Sequence, residues 1–245
     1  MTPETSIWSS PPASISLQPD EVHVWRLALD GPTAPFLELL DTDEVARANR
    51  FYFAKHRERF LIARGFLRLL LSRYLQADPK KLEFVYGEWG KPALAGEFRE
   101  HRLRFNMSHS QGMALYALTY GREIGVDVEY VRADFTSEDI AQRFFSPFEV
   151  SVLCGLPEND RVAGFFRCWT RKEAYIKATG RGMSQPLDGF DVTLGHAEVE
   201  LLRTEDGSHE RWQMVDVAVG PGYAGALAVE KPVAKIRYWN GNDRD

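Results

Sequence analysis

The sequence predicts an α+β protein made of two similar halves. Two short runs rich in β-branched residues, EVHVWRLAL (21–29) and EIGVDVEYV (123–131), have the composition of buried strands. Each run is followed by a similar helical phrase, DEVARANRFYF (43–53) in the first case and EDIAQRFFSPFE (138–149) in the second. A repeated order of strand and helix indicates that one structural unit occurs twice in the chain.

The other predicted elements fit the same division. We expect a longer helix in each half, around residues 56–75 and 162–179. A boundary near residue 121 gives an N-terminal half, 1–121, and a C-terminal half, 122–245. Further strand candidates lie between the first long helix and that boundary: LEFVY (82–86), LRFNM (103–107) and MALYALTY (113–120).

Length and composition restrict the class of protein. The 245 residues, 44% of them hydrophobic, are enough to bury a core. No apolar run reaches the ~20 residues needed to cross a bilayer, and no basic region followed by an apolar stretch opens the chain, so we expect neither a membrane span nor a secretory signal. Cys154 and Cys168 have no metal-ligand spacing, and we expect a reduced, cytoplasmic setting. The net charge of −5 argues against a nucleic-acid-binding protein.

One segment is strongly basic although the whole chain is acidic. From Arg47 to Arg73 the chain carries eight Arg and Lys residues against Glu58 alone. A basic surface of this kind suits a phosphate ligand or an acidic partner. A solvated helix face is the alternative interpretation.

The two strand runs differ at positions that carry charge. Residues two apart on a strand share a face, so Asp127 and Glu129 project together while Val126 faces the other side. The positions that match the two acids in the first run are Trp25 and Leu27. A single asymmetric site between the halves explains this difference better than two equivalent sites.

The segment FFRCWTRKEAYIKATGRG (165–182) has the pattern of an amphipathic helix with unusual charge. Trp169, Glu173 and Lys177 recur every four residues, with Lys172 beside the acid. An exposed Glu–Lys pair that stabilises the helix by ~0.2–0.5 kcal/mol is the alternative. If Glu173 joins the two strand acids, three carboxylates converge, and oxygen ligands without a His/Cys cluster point to Mg²⁺. Magnesium usually keeps waters and phosphate oxygens, so the acids suggest a phosphate-bearing substrate.

Two polar segments provide candidate phosphate-binding groups. FNMSHSQG (105–112) is predicted to be a tight polar turn between two strands, and it presents Ser108, His109 and Ser110 together. No G-x-S-x-G elbow surrounds this Ser–His pair, and hydroxyls, a histidine and turn amides equally suit phosphate oxygens. GEWGKPAL (87–94) is a Gly/Pro loop that carries Lys91. An ordinary turn with a solvent-facing lysine is the alternative for that loop.

Taken together, five of these motifs resemble the 4′-phosphopantetheinyl transferases. GVDVE (125–129) and WTRKEAYIKATGRG (169–182) resemble the paired signature of that superfamily, in its order and spacing. FNMSHS, WGKP and RFFSPFE resemble additional motifs of its larger, two-halved Sfp-type members. The resemblance covers residues 40–195. It implies two α+β halves related by a pseudo-twofold axis, with the active site between them.

The resemblance also implies an activity. Members transfer the phosphopantetheine arm of coenzyme A to a serine of an apo acyl, peptidyl or aryl carrier protein, and adenosine 3′,5′-bisphosphate leaves. By this resemblance Asp127, Glu129 and Glu173 are the expected Mg²⁺ ligands, and Lys177 is a cation for the phosphates. Glu173 is the first candidate for the base that takes the serine proton. Glu149 is the alternative base, and its other expected role is to cap a helix or lie at the surface.

A set of coenzyme A contacts follows from the same resemblance. The groups expected around the phosphates are Arg47, Arg59, Ser108, His109, Asp127 and Lys177, and those along the adenine side are Lys91 and Pro92. Glu44 falls where some relatives carry a basic residue. We therefore expect the 3′-phosphate contacts to be weaker, or to come from Arg47 and Arg50.

The carrier protein is expected to meet a basic rim and exposed aromatic side chains. Phe144, Phe145 and Phe148 are candidates, with at least one of them expected in the core, and Trp169 is expected to pack. A monomer is expected because the two halves supply their own interface. Two other functions stay open: a protein that binds coenzyme A or a carrier without transfer, and another Mg²⁺-dependent phosphotransferase or nucleotide hydrolase. The GxxxxGK[ST] loop that is typical of many nucleotide hydrolases does not occur in this sequence, which argues against the second.

Overall fold

The computed structural model describes residues 7–132 and 137–243 as a mixture of strands and helices. The strands are β1 (Glu21–Ala28), β2 (Phe84–Tyr86), β3 (Pro92–Leu94), β4 (Leu103–Ser110), β5 (Met113–Tyr120), β6 (Ile124–Tyr130), β7 (Asp191–Val192), β8 (Leu201–Arg203), β9 (Trp212–Asp216), β10 (Tyr223–Glu230) and β11 (Lys235–Asn240). The helices are α1 (Ala34–Leu37), α2 (Thr42–Ala48), α3 (Ala54–Leu75), α4 (Ser137–Phe144), α5 (Pro147–Gly155) and α6 (Glu158–Thr179). Within these residues, no helix combines the length and the apolar character that a bilayer crossing needs.

Two sheets that share the same three-stranded antiparallel arrangement confirm the α+β class. The strands β1, β5 and β4 pair in that order, and β6, β10 and β9 repeat the arrangement. The predicted boundary near residue 121 falls between β5 and β6. One strand crosses this division, since β11 pairs in parallel with β1 and extends the first sheet. The C-terminal part of the chain therefore contributes to the sheet of the N-terminal half.

The two sheets pack against each other through alternate residues of their strands. Val22 and Val24 of β1, Leu115 of β5, and Val126 and Val128 of β6 belong to one buried apolar cluster. The predicted orientation of the β6 valines is thus confirmed. On a strand the other side chains must face away from this layer. In β6 those other positions carry the acids.

The first half uses the equivalent positions for its core. Trp25 and Leu27 of β1 pack with Phe66 and Leu67 of α3 in a separate buried cluster. The long helix of that half thus covers an apolar face. In the second half, the long helix α6 covers the acidic face of β6. This difference confirms that the two halves are unequal where the sequence predicted.

Helix α6 lies directly against β6 because Gly125 has no side chain. A Cβ added there would lie 2.1 Å from the oxygen of Ala174 and 2.3 Å from the nitrogen of Ala178. The helix ends at Gly180, whose φ of 68° is left-handed and therefore suits glycine. The close approach brings the polar face of α6 over the acids of β6.

Residues 105–112 do not form the predicted turn. Strand β4 runs to Ser110 and pairs with β5 throughout, so the turn is confined to the two residues that start at Gln111. The polar side chains of this strand bond to the second half instead. Asn106 Oδ1, for example, accepts a hydrogen bond from the backbone N–H of Val126 at 2.9 Å. Polar composition indicated a turn, whereas it reflects a polar contact between the two halves.

Part of the predicted basic surface is buried in ion pairs. Arg64 and Arg68 of α3 both bind Glu44 of α2, and Arg68 Nη2 also lies 2.5 Å from Asp41 Oδ2. Glu44 is only 5% exposed and completes the capping box of α2. These two arginines therefore hold α2 on α3. The sequence interpretation missed this because their acidic partners precede the basic segment.

Candidate active site

Asp127 is the centre of a polar cluster at the junction of the two halves. Its side chain is buried, and Oδ1 accepts hydrogen bonds from Ser108 Oγ at 2.8 Å and from Lys177 Nζ at 2.5 Å. Lys177 Nζ also donates to Ser108 Oγ at 2.9 Å. The three residues lie on β6, β4 and α6. The cluster therefore exists only where both halves meet.

Glu129 is positioned by a second hydroxyl of β4. Ser110 Oγ donates to Glu129 Oε2 at 2.7 Å and accepts from the backbone N–H of Tyr130 at 3.1 Å. Because the oxygen accepts from the backbone, the hydroxyl proton is free to point at the carboxylate. Burial raises the pKa of Glu129, and the negative charge of Asp127 raises it further.

Glu173 lies on α6 one turn before Lys177. Burial raises the pKa of its carboxyl, and the charges of Asp127 and Glu129 add to this, while Lys177 acts in the opposite direction. The negative charges of Asp127 and Glu129 therefore act on the carboxyl group of Glu173. A cation placed beside Glu129 and Glu173 would lower the pKa of both carboxyl groups.

The donor set fits a hard divalent cation. Asp127 Oδ2 is buried and has no hydrogen-bond partner among the described residues. In the part of the chain that the structure describes, no three His, Cys, Asp or Glu side chains are grouped closely enough to hold a metal ion. Mg²⁺ commonly binds one or two carboxylates and completes its shell with water and phosphate oxygens. The oxygen chemistry of Asp127, Glu129 and Glu173 suits that ion.

A positively charged pocket adjoins the cluster on the side of the first half. This cavity of about 360 Å³ is lined by residues of both halves, among them Arg47, Pro92, Ser108, His109 and Lys177. Desolvation at the pocket wall lowers the pKa of His109, and the charges of Lys177, Arg47 and Arg59 lower it further. Several cations around a neutral histidine favour an anionic ligand.

Arg59 is held by an acid that the sequence interpretation did not consider. Its Nε and Nη2 lie 2.9 and 3.1 Å from the two oxygens of Asp30. The side chain of Asp30 is 61% exposed, whereas that of Arg59 is buried. A phosphate that binds Arg59 has to compete with this carboxylate.

The cleft continues past Lys177 into a second cavity of about 330 Å³, which is lined in part by Trp89, Lys91, Pro92, Met107, Glu173 and Lys177. Lys91 Nζ donates to Glu123 Oε2 and to the carbonyl oxygen of Ala178, both at 2.8 Å. The loop between β2 and β3 is thereby tied to the C-terminal end of α6. Pro92 lines both cavities.

Glu149 does not belong to this cleft. It is fully buried, its carboxylate lies 2.7 Å from Lys172 Nζ, and it accepts a hydrogen bond from the backbone N–H of Val192 at 2.8 Å. With Ser146 it forms the capping box of α5. The structure therefore gives no support to the alternative in which Glu149 is the base. Of the two other roles expected for Glu149, the helix cap is found. The position at the surface is not, because the side chain lies in the interior.

The aromatic residues near the cleft divide into core and surface. Phe145 is buried, which confirms that at least one of the three phenylalanines belongs to the core. Phe144 and Phe148 are exposed, at 36% and 50%. Trp169 stacks on Phe165 with ring centroids 5.8 Å apart, so it packs as predicted. Trp169 also lines an apolar groove beside Glu129.

Comparisons with known proteins show the family of the chain. A family model described as the 4′-phosphopantetheinyl transferase superfamily matches residues 123–228, and one for the N-terminal region of 4′-phosphopantetheinyl transferases matches residues 32–119. The 4′-phosphopantetheinyl transferase HetI of Nostoc sp. is 41% identical over 236 residues, which cover 95% of this chain and 98% of HetI. The chain belongs to the 4′-phosphopantetheinyl transferase superfamily.

Two further relatives extend the match. The 4′-phosphopantetheinyl transferase Sfp of Bacillus subtilis is 32% identical over 219 residues, covering 86% of this chain and 93% of Sfp. A putative 4′-phosphopantetheinyl transferase of Synechocystis sp. is 36% identical over 194 residues, covering 78% of each chain. The protein is thus an enzyme of the 4′-phosphopantetheinyl transferase class.

Several site contacts of this transferase were not found from the sequence. Ser110 was noticed only as part of a turn, and neither Asn106 nor Asp30 was singled out. A signal for two of them was present, because Asn106, Ser108 and Ser110 alternate along β4 with the period of a strand. Treated as a strand, they predict a polar row that faces the acids of β6. No comparable local signal marks Asp30.

Proposed function

We propose that the protein transfers the 4′-phosphopantetheine arm of coenzyme A to a serine of an apo acyl or peptidyl carrier protein, releases adenosine 3′,5′-bisphosphate, and requires Mg²⁺. The observation that carries this proposal is the setting of Asp127. One of its oxygens binds Ser108 and Lys177, the other is buried without a partner among the described residues, and an anion-binding pocket adjoins it. Acids beside such a pocket suit a metal-dependent reaction at a diphosphate.

The acids are assigned to the metal and the cations to the phosphates. Asp127, Glu129 and Glu173 would hold Mg²⁺, which when bound supplies positive charge against the diphosphate. Lys177 lies between the acid cluster and the positively charged pocket. It is therefore suited to neutralise charge that develops on the phosphates during transfer.

Coenzyme A is assigned to the cleft between the halves. Arg47 and His109, with Ser108 nearby, bind its phosphates, and Arg59 contributes once it exchanges Asp30 for phosphate. Lys91 and Pro92 lie along the adenine side. Arg47, Ser108 and His109 line one of the two cavities that meet at Lys177, Lys91 lines the other, and Pro92 lines both; these positions support the assignment.

The transfer is a substitution at the β-phosphorus of coenzyme A. The serine oxygen of the carrier forms a bond to that phosphorus, and the bond from phosphorus to the bridging oxygen breaks. The electron pair leaves with adenosine 3′,5′-bisphosphate, and the serine proton passes to Glu173. A general base accepts a proton in its deprotonated form and is more effective when its pKa is closer to the working pH, so a pKa raised by burial suits the Glu173 carboxylate to this role.

The carrier protein is assigned to the apolar groove beside Glu129. Tyr130, Ile140, Phe144 and Trp169 line that groove, and Phe144 is exposed. An acceptor serine held there would lie next to the acid cluster. We further propose that the enzyme is monomeric and cytoplasmic.

Intact-protein mass spectrometry tests the proposal. An apo acyl carrier protein and an apo peptidyl carrier protein are each incubated with the enzyme, coenzyme A and Mg²⁺, with and without a chelator. We expect a gain of one phosphopantetheine mass that is lost with chelator. Coenzyme A binding without any gain on either carrier would instead favour a non-transferring binding protein. Release of phosphate or nucleotide without a carrier would favour a hydrolase.

The variant Glu173→Gln tests the base. We expect transfer to be abolished while coenzyme A binding, measured by calorimetry, is retained. Glu158→Gln is the matched control, because Glu158 lies exposed in the first turn of the same helix. Unchanged turnover in Glu173→Gln would remove this residue from the mechanism.

A further inference from the structure

Two connections between the halves run side by side, on a surface that the proposed function does not use. Residues 121–123 carry the chain from β5 in the first sheet to β6 in the second, and residues 231–234 carry it back from β10 to β11. Arg122 Nη1 joins the two connections by donating to the carbonyl oxygen of Pro232 at 2.8 Å. Any ligand held at this point would touch both connections at once.

A cavity of about 660 Å³ opens beside these connections, and its wall is mainly basic. Arg102, Arg122 and Lys231 line it together with His101, against the single acid Glu100. Three cations and one carboxylate leave a formal charge of +2 on the wall, with the histidine neutral. Desolvation and the neighbouring Arg104 lower the pKa of His101, which keeps that ring neutral. A surplus of positive charge is notable on a protein whose net charge is −5.

The three cations have no acidic partner among the described residues. Within residues 7–132 and 137–243, neither Arg102 nor Arg122 nor Lys231 forms an ion pair. The other arginines described above mostly do, as Arg64 and Arg68 show with Glu44. Within this part of the chain the cations of the cavity are therefore unpaired, whereas Arg64 and Arg68 are balanced by an acid.

Arg122 has two guanidinium nitrogens without a hydrogen-bond partner among the described residues. Its Nε and Nη2 are out of contact with solvent and have no hydrogen-bond acceptor among the described residues. A buried donor without an acceptor destabilises a fold, and a charged one does so more strongly. The Nε and Nη2 atoms form the edge of a guanidinium that binds two oxygens of one oxyanion. The unused edge lies on a residue that lines the cavity.

We infer that this cavity binds a small tetrahedral oxyanion of the phosphate type, with Arg122 as the main ligand and Arg102 and Lys231 as its partners. An anion with several oxygens can accept from three separate cations, whereas a carboxylate offers two oxygens. Inorganic phosphate, with a mean charge of about −1.5 at neutral pH, also complements the positive formal charge of the wall. Because the unused edge of Arg122 is shielded from solvent, the side chain must rotate to bind, which weakens the affinity.

Binding here would fasten the two connections to each other. An anion held by Arg122 on one connection and by Lys231 on the other would link residues 121–123 directly to residues 231–234. Both connections determine how the two sheets meet. Their backbone amides should therefore open less often when the anion is bound.

Hydrogen–deuterium exchange and calorimetry with inorganic phosphate test this inference. Ionic strength is held constant with sodium chloride, so that screening does not change. In the wild-type protein we expect phosphate to slow exchange in residues 120–123 and 230–234. Arg122→Met and Lys231→Met should each weaken phosphate binding at this place about tenfold or more, as expected for the loss of a charge-assisted hydrogen bond.

A second arm separates this cavity from the cleft. Arg47→Met removes a cation of the pocket assigned to coenzyme A, so it should leave the protection of residues 120–123 unchanged. No slowing of exchange in the wild-type protein would overturn the inference. So would equal slowing in the wild type and in Lys231→Met, which keeps the half-buried Arg122 and should fold normally.

Discussion

Replacing Gly125 by alanine tests whether the spacing between β6 and α6 sets the activity. The added Cβ would lie 2.1 Å from the oxygen of Ala174 and 2.9 Å from the Cα of Ala178. Carbon and oxygen atoms in contact need roughly 3.3 Å or more, so α6 has to retreat by about 1 Å. Both obstacles are backbone atoms, so a side-chain rotation cannot relieve the clash.

The expected consequence is a loss of rate that exceeds the loss of stability. Helix α6 carries Glu173 and Lys177, and β6 carries Asp127, whose distance to Lys177 is 2.5 Å. A misplacement of ~1 Å can lower the rate about 100-fold. Overpacking costs ~1–3 kcal/mol, which in a chain of this size lowers Tm by roughly 2–12 °C. We therefore expect kcat to fall about 100-fold in protein that is still folded at 25 °C.

The assay is carrier modification followed by mass spectrometry, combined with thermal denaturation followed by circular dichroism. Gly155→Ala is the matched control, since a Cβ at Gly155 has open space within 4 Å, and it should keep both rate and Tm. If Gly125→Ala lowers Tm but leaves the kcat of the folded protein unchanged, the spacing of β6 and α6 does not control the reaction. An unchanged Tm would refute the steric argument itself.

Four further predictions test individual contacts. Asp127→Asn should lower transfer by roughly 10²–10³-fold, as for loss of one group that stabilises the reacting charge. A full rate with chelator present would contradict the metal-binding role of Asp127. Ser110→Ala should raise the Mg²⁺ concentration for half-maximal rate about 10–100-fold, because it frees the second strand acid, and Ser110→Thr should restore it. Glu149→Gln should destabilise the fold by about 3–5 kcal/mol in urea denaturation by breaking a buried ion pair, and a loss of rate at unchanged stability would restore Glu149 as a candidate base. Burial lowers the pKa of His23 from 6.5 to about 4 in the folded protein. The stability that the neutral ring contributes is fully present above pH 6.5, and ~3 kcal/mol of the free energy of unfolding is lost as the pH falls toward 4. His23→Gln should flatten that part of the stability curve, whereas the exposed His196→Gln should not.

Local periodicity predicted the features that depend on one element at a time. The alternation in β6 identified which residues face the other sheet, and the four-residue spacing in α6 placed Glu173 and Lys177 on one face. The repeated order of strand and helix was visible because each copy is continuous in sequence. These properties follow from backbone geometry alone, so a single segment contains enough information to predict them.

Contacts between distant segments were not predictable in the same way. Glu44 was interpreted as a missing cation, yet it pairs with two arginines about 20 residues later in the chain. Glu149 resembled a base, yet a lysine on another helix holds it in the core. The polar residues of β4 were taken for a turn because their partners lie on β6. In each case the role of a polar side chain depends on a partner that sequence spacing does not reveal.

The parallel pairing of β11 with β1 affects how the chain can fold as it is made. The first strand leaves the ribosome early, whereas residues 235–240, which cover its open edge, are synthesised much later. Until then the nascent chain presents an unpaired strand edge, which can pair with other chains. A product of translation that stops before residue 235 would keep that edge open. Such a fragment should be a substrate for chaperones and proteases, even though most residues of the cleft would already be present.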